Sequence, residues 1–257
     1  MSNKLLVEFI DHTAVVTINN PPANTWDRES LTALKNLVAE LNGNPEVYSL
    51  ILTGSGDKFF SAGADLNMFA DGDKGNARDI SSLFGLAFEA LSCFRGVSIA
   101  AMNGYAMGGG LECALACDIR IAEEQISVAL PEAKVGLLPC AGGTQRLLSL
   151  AGEGWAKRLI LCGERLTAEQ AHAVGIVEEV VGRGEAKNKA MALAQKTAEQ
   201  SPSSVTACKS LIQESRVVLE KGLLRERELF IDLFDTADQT EGVSAFLEKR
   251  PPQWKNA

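Results

Sequence analysis

The sequence predicts an α/β protein that ends in a helical region. Three observations carry this. Short apolar runs alternate with helix-like segments through most of the chain, the pattern of an α/β fold. In the middle third each apolar run reaches a glycine-rich turn. After about Ser201 strand signals vanish and only helical patterns remain. On these grounds residues 1–200 form the α/β body and 201–257 a helical C-terminal region.

The elements follow in order. Leu5–Ile10 and Ala14–Asn19 are β-rich, and Asp11-His12-Thr13 turns them into a hairpin. Asn20-Pro21-Pro22-Ala23-Asn24 is fixed and non-helical. Asp27 caps a helix whose stripe is Leu31, Leu34, Leu37, Val38 and Leu41, ended by Gly43-Asn44-Pro45. Val47–Thr53 is a nearly all-apolar strand, so both of its faces should be covered. Three units of run, turn and helix-like segment come next. The first passes through Phe59-Phe60-Ser61-Ala62-Gly63-Ala64-Asp65. The second runs from Ser98 through Asn103-Gly104 to Gly108-Gly109-Gly110. The third links Ile126–Leu130 to Pro131-Glu132 and then Gly142-Gly143-Thr144. Asp71–Asn76 reads as a polar loop; it lacks the spacing of a calcium loop. His172 falls in a short helix-like segment, Thr167–Val174. Ser201-Pro202 starts the helical tail, with Leu223, Leu224, Leu229, Phe230, Leu233 and Phe234, then Val243, Phe246 and Leu247.

Composition narrows the function. The chain has 257 residues with a net charge of −8, and that acidic balance argues against a nucleic-acid partner. The two histidines, His12 and His172, leave little for a histidine metal site or a Ser-His-Asp triad. Acid–base chemistry therefore points to carboxylates. No CxxC occurs, and the six cysteines read as mostly buried thiols in a reducing compartment. No apolar run approaches the ~20 residues of a membrane span, and the start has no signal-peptide core, so a cytoplasmic protein is expected. The fingerprints GxGxxG after a strand, GxxxxGK[ST] and GxSxG are absent, which weakens dehydrogenase, ATPase and α/β-hydrolase readings.

Two glycine turns remain, Ser61–Asp65 and Gly108-Gly109-Gly110-Leu111-Glu112. Each sits where a strand meets a helix-like segment, so each can present free backbone N–H groups to an oxygen anion. Two such amides aimed at one point form an oxyanion hole. Close packing explains three consecutive glycines equally well on physics alone. Glu112 and Glu132 each read, taken singly, as solvated or capping carboxylates. Both follow apolar segments at turns that can line one cleft, where a carboxylate pair holding one water divides general acid and base roles.

At these residues the sequence resembles the crotonase superfamily, the enoyl-CoA hydratase/isomerase family. The carrying motifs are Phe60-Ser61-Ala62-Gly63-Ala64-Asp65-Leu66, Asn103 to Glu112, and Pro131-Glu132 with Gly142-Gly143-Thr144-Gln145-Arg146. The tail Glu241-Gly242, Ala245-Phe246 and Glu248-Lys249-Arg250 matches as well, and the likeness runs as far as Trp254. The resemblance implies a spiral of ββα units with a C-terminal helical trimerisation region, as trimers or dimers of trimers. It implies an acyl-CoA ligand and no metal or redox cofactor. By motif match, the amides of Ala64 and Gly109 form the oxyanion hole for the thioester oxygen, and Glu112 and Glu132 are the catalytic pair. Water adds across C2=C3 of a trans-2-enoyl-CoA, with Glu132 supplying the proton to C2.

Having both glutamates favours a hydratase. Relatives that only shift a double bond typically lack the first, so an isomerase or another lyase of this superfamily, such as a branched or methylglutaconyl-type hydratase, is the alternative. A non-catalytic acyl-CoA-binding subunit is a third reading. Ala62 and Leu66 match positions at the adenine end of CoA, next to Asp65. Phe246 and Lys249 match tail residues that reach CoA from a neighbouring subunit. Two departures stand out. Many relatives carry a lysine near Pro22 for the CoA phosphates, where this chain reads Pro21-Pro22-Ala23. Many hydratases read Pro-Gly-x-Gly-Gly where this chain has Pro139-Cys140-Ala141-Gly142-Gly143, so Cys140 adds a side chain beside the expected water position.

Overall fold

The computed structural model describes residues 3–214 and 217–253. Trp254, the far end of the family likeness, lies outside the described residues, as does the end of the 201–257 region. The expected hairpin is present. Strand β1 (Leu5–Ile10) pairs antiparallel with β2 (Thr13–Ile18), Leu5 opposite Ile18. Helix α1 (Arg28–Gly43) begins at Asp27, whose carboxylate accepts from Ser30 N at 2.9 Å in a capping box. Its buried stripe is Leu31, Leu34, Val38 and Leu41, with Leu37 partly buried against it. Strand β3 (Ser49–Gly54) is buried along its whole length, as its unbroken apolar pattern requires.

Three strand–strand–helix turns follow. The first is β3, β4 (Phe59–Ser61) and α2 (Lys74–Ser92). The second is β5 (Val97–Met102), β6 (Tyr105–Met107) and α3 (Gly109–Ala116). The third is β7 (Ile119–Glu123), β8 (Ser127–Ala129) and α4 (Gly143–Leu161), which breaks its helical geometry at Gly152. The chain continues through β9 (Leu166–Thr167), α5 (Ala168–Ala173), β10 (Glu179–Val181) and α6 (Ala186–Ala198). Each turn lays one strand in a six-stranded sheet, order β1-β2-β3-β5-β7-β10, and one in a four-stranded sheet, order β4-β6-β8-β9. From β2 onward the larger sheet is parallel. This is the ββα spiral expected from the motifs. After β10 only helices occur: α6, then α7 (Pro202–Glu214), α8 (Val217–Asp232) and α9 (Ala237–Leu247).

Two expectations are corrected. Asp71–Asn76 is not a plain loop: Asp73 caps α2, accepting from Asn76 N at 2.6 Å, so the second half of the polar run is the first helical turn. Its polarity serves capping, and the apolar face begins only at Ala77. The helix-like segment expected after Asp65 opens as a single 3₁₀ turn, Leu66–Phe69, and the turn at Glu132 is likewise 3₁₀, Glu132–Val135. The cysteines are not mostly buried. Cys113, Cys117 and Cys140 are, but Cys93, Cys162 and Cys208 are exposed, because a thiol at a helix end or on an outer face has small neighbours in sequence without being covered in space. His12 stacks on Tyr48 with ring centroids 4.2 Å apart, away from any catalytic role. His172 bonds the Val177 carbonyl at 3.0 Å. No helix among the described residues is long and apolar enough to cross a membrane.

One close contact sets how the spiral is wound. A side chain built on Gly110 would begin 2.1 Å from the Ser61 carbonyl oxygen, so α3 lies directly on the end of β4. A glycine is required there for that approach. Gly110→Ala is expected to destabilise the protein by about 1–3 kcal/mol through overpacking. A thermal melt reads this as a lower Tm, and an unchanged Tm would refute the contact.

Candidate active site

The contact at Gly110 brings the N-terminus of α3 against the turn after β4. Gly63, with φ of +92°, has no room for a side chain: a Cβ there would lie 2.6 Å from the Met107 carbonyl and 3.0 Å from Gly109 N. The neighbouring amides are committed. Ala62 N donates to Ala23 O at 2.9 Å, and Asp65 N to Trp26 O at 2.9 Å. Gly108 N donates to Ala129 O at 2.9 Å. The amides of Ala64 and Gly109 make no hydrogen bond among the described residues. A backbone N–H left without a partner inside a fold wants a ligand. Ala64 N lies 3.7 Å from where a Gly109 side chain would begin, so the two donors are neighbours.

Both residues line a cavity of about 560 Å³, within the range of small-ligand sites. Ala23, Ala62, Asp65, Leu66, Glu112, Glu132, Cys140 and Phe246 line it too, so ten of the eleven residues singled out from the sequence meet there. Asp65 is tied locally: its carboxylate accepts from Asn67 N at 3.1 Å and Asn67 Nδ2 at 2.8 Å. Its task is to cap the 3₁₀ turn at the cavity wall.

Lys249 is the exception. It does not line the cavity; it sits exposed just past α9. Phe246 lines the cavity of its own chain and is 56% exposed. The reason is the packing of α9, which lies so close to the Glu132 turn that a side chain on Gly242 would start 2.5 Å from the Val135 carbonyl carbon. Arg250 does line the cavity, yet its guanidinium is held by Glu241 and Glu248.

The two glutamates are set differently. Glu112 is buried in α3, and its Oε1 accepts from Ala141 N at 2.9 Å and Gly143 N at 2.8 Å. Its Oε2 has no hydrogen bond among the described residues. Burial, with the nearby charges of Glu226 and Glu132, raises its pKa well above the ordinary carboxyl value, against the pull of the two amides. Both carboxyl oxygens of Glu132 are buried without any hydrogen-bond partner. Burial pushes that carboxyl up to about 8, so it holds a proton at neutral pH. Burial also raises the Cys140 thiol, which argues against a nucleophilic role.

Sequence reasoning missed Glu226. This side chain is buried in α8, and its carboxylate accepts from Gly142 N at 2.6 Å, Thr144 N at 2.9 Å and the Thr144 hydroxyl. The signal was present: Glu226 lies three residues after Leu223 and four before Phe230, a charge on the buried stripe of a helix. The apolar wall residues Phe69, Phe84, Leu138 and Phe230 were also not foreseen as lining. Among the described residues no group of three or more His, Cys, Asp or Glu is placed to hold a metal ion.

Two free amides beside a pair of buried carboxyls on one cavity are the groups with which an enzyme can polarise a carbonyl and move protons next to it. The comparisons with known proteins agree with that class. The model of the family described as enoyl-CoA hydratase/isomerase matches residues 8–257. The chain belongs to that family. Over 98% of its length it is 38% identical to 2,3-dehydroadipyl-CoA hydratase of Escherichia coli, of which 99% is covered. It is 37% identical to the short-chain-enoyl-CoA hydratase of Clostridium acetobutylicum, covering 96% of each chain. The solved structure of Pseudomonas aeruginosa DspI is 63% identical and superposes with a TM-score of 0.83, over 99% of this chain and 97% of that one.

The shift at Glu132 makes stability depend on pH. The folded protein keeps this proton up to about 8, whereas an ordinary glutamate in the unfolded chain loses it near 4.5. Its stabilising contribution is therefore full below about 4.5 and is lost as pH rises through about 8. The Tm of the wild type should fall across that window, and Glu132→Gln should flatten the fall. Melts with equal slopes in the two proteins would refute the raised pKa.

Proposed function

We propose that the protein adds water across the C2=C3 bond of trans-2-enoyl-CoA thioesters to give 3-hydroxyacyl-CoA. The observation that carries this is the convergence of the Ala64 and Gly109 amides with Glu112 and Glu132 on one cavity. The thioester oxygen accepts from both amides, which stabilise the enolate-like charge that grows there; each such donor contributes about 3–4 kcal/mol in the transition state. Glu112, anchored through Oε1, uses Oε2 to take a proton from water while the water oxygen bonds to C3. Glu132, protonated at neutral pH, gives its proton to C2. One proton has entered one carboxyl and one has left the other, so exchange with solvent restores the site. CoA enters as part of the substrate, and the reading calls for no metal or redox cofactor and for action in the cytoplasm.

The cavity wall supports an apolar acyl chain. Leu66, Phe69, Phe84, Leu138 and Phe230 line it, and its cations among the described residues are Lys134 and the already paired Arg250. A carboxylate buried against these apolar side chains would cost several kcal/mol, and the exposed Lys134 is the one lining cation not held by carboxylates among the described residues. Chains of short or medium length are the expected substrates.

The region from 201 onward is proposed as the oligomerisation surface of a trimer or a dimer of trimers. Leu211, Ile212, Leu224 and Leu229 on α7 and α8 support this, being 66%, 63%, 62% and 41% exposed. A run of large apolar side chains in solvent favours association.

Purified protein should hydrate crotonyl-CoA, read as loss of the conjugated thioester absorbance. Glu112→Gln and Glu132→Gln should each lower kcat by about 10²–10⁴-fold while binding of the CoA ester persists. A near-normal rate in either variant removes that residue's role. Binding without hydration of any enoyl-CoA would favour a non-catalytic subunit, and faster bond migration from a 3-enoyl-CoA would favour an isomerase. In a panel of acyl groups, straight apolar chains should exceed ω-carboxylated ones in kcat/KM.

A further inference from the structure

Four consecutive amides at the start of α4 are shared alternately between two buried glutamates. Ala141 N and Gly143 N donate to Glu112 at 2.9 and 2.8 Å. Gly142 N and Thr144 N donate to Glu226 at 2.6 and 2.9 Å, and the Thr144 hydroxyl adds a third bond. The turn is left-handed at Gly142, with φ of +100°, which sends neighbouring amides to different sides. Arg146 Nη1 holds the Ala141 carbonyl at 2.7 Å from within the same turn. Glu226 itself does not line the cavity.

We infer that Glu226 is the positioning residue for Glu112: it clamps from α8 the backbone turn whose other two amides hold the water-activating carboxylate. This rests on the hydratase reading above. A peptide plane carries the carbonyl of one residue and the amide of the next, so the amides of 141 and 143 cannot keep their aim if those of 142 and 144 swing free. Glu112 has only these two donors for Oε1. Loosening the turn releases Glu112 to other rotamers and moves Oε2 from the water. Glu226 comes from the helical C-terminal region, so that region takes part in assembling the site as well as covering it.

The test uses Glu226→Gln, which keeps the shape of the side chain but turns an amide group toward the Thr144 N–H. With crotonyl-CoA, kcat should fall about 10–10²-fold, the scale of a small misplacement of a reacting group. KM should stay within about threefold, because substrate-binding groups are untouched. The distinguishing readout is epistasis. If Glu226 acts through Glu112, adding Glu226→Gln to Glu112→Gln should lower kcat no further. Thr144→Val, which removes only the hydroxyl bond, should give a smaller fall in kcat at unchanged KM, and it decides the matter should the glutamine variant not fold. A wild-type enzyme with Glu226→Gln at the wild-type kcat overturns the assignment, as does an equal fall in both backgrounds, or a Thr144→Val enzyme indistinguishable from wild type where that variant decides. A wild type inactive on every enoyl-CoA overturns the hydratase reading and this assignment with it.

Discussion

A carboxylate removed from water needs donors of its own, and in this protein the fold is arranged around supplying them to one carboxylate. Glu112 is buried in α3 and takes two amides from the first turn of α4. Without them its burial would cost several kcal/mol more, and its pKa, raised even against both amides, would rise further. The demand fixes where α4 begins, because the turn must place the amides of Ala141 and Gly143 over the side of α3. It also reaches α8, since Glu226 takes the intervening amides. Helices from three parts of the sequence are thus tied together by one short stretch of backbone.

The second half of the site follows from the same rule read in reverse. Most buried amides around the β4 turn are matched with carbonyls of Ala23, Trp26 or Ala129, and those bonds hold the turn rigid. Ala64 and Gly109 are left without acceptors because their neighbours use those available. Leaving two donors unpaired costs stability in the free protein, and a ligand oxygen accepting from both would recover it.

Local rules made the framework legible. The capping Asp27, the alternating hairpin and the all-apolar β3 are short-range patterns, and each appears where it was expected. Glu112, Glu132, Ala64 and Gly109 were accessible through glycine turns and family motifs, although nothing local shows that they share a cavity. What escaped depends on distance. The polar run at Asp71–Asn76 looked like a loop because its capping role depends on a helix whose apolar face starts later. Cys93, Cys162 and Cys208 have small or apolar neighbours in sequence and none covering them in space. Glu226 is separated from Gly142 by 84 positions, so the bond between them exists only once the tail has folded back. Arg250, one residue past Lys249, lines the cavity of its own chain, and no local pattern singles it out.

Three carboxyls, those of Glu112, Glu132 and Glu226, crowd this site, and burial raises each of them above the ordinary carboxyl range. They cannot all be ionised together at neutral pH without the large cost of unshared charge in a low dielectric. Their hydrogen bonds differ. Glu226 has three donors and Glu112 two, whereas Glu132 has none. Those amides favour the ionised form of Glu112 and Glu226, against the burial that raises all three. The charge of Glu226 adds to burial in strengthening the hold of Glu132 on its proton. Three residues of one type are thus set apart by the number of amides that each one meets.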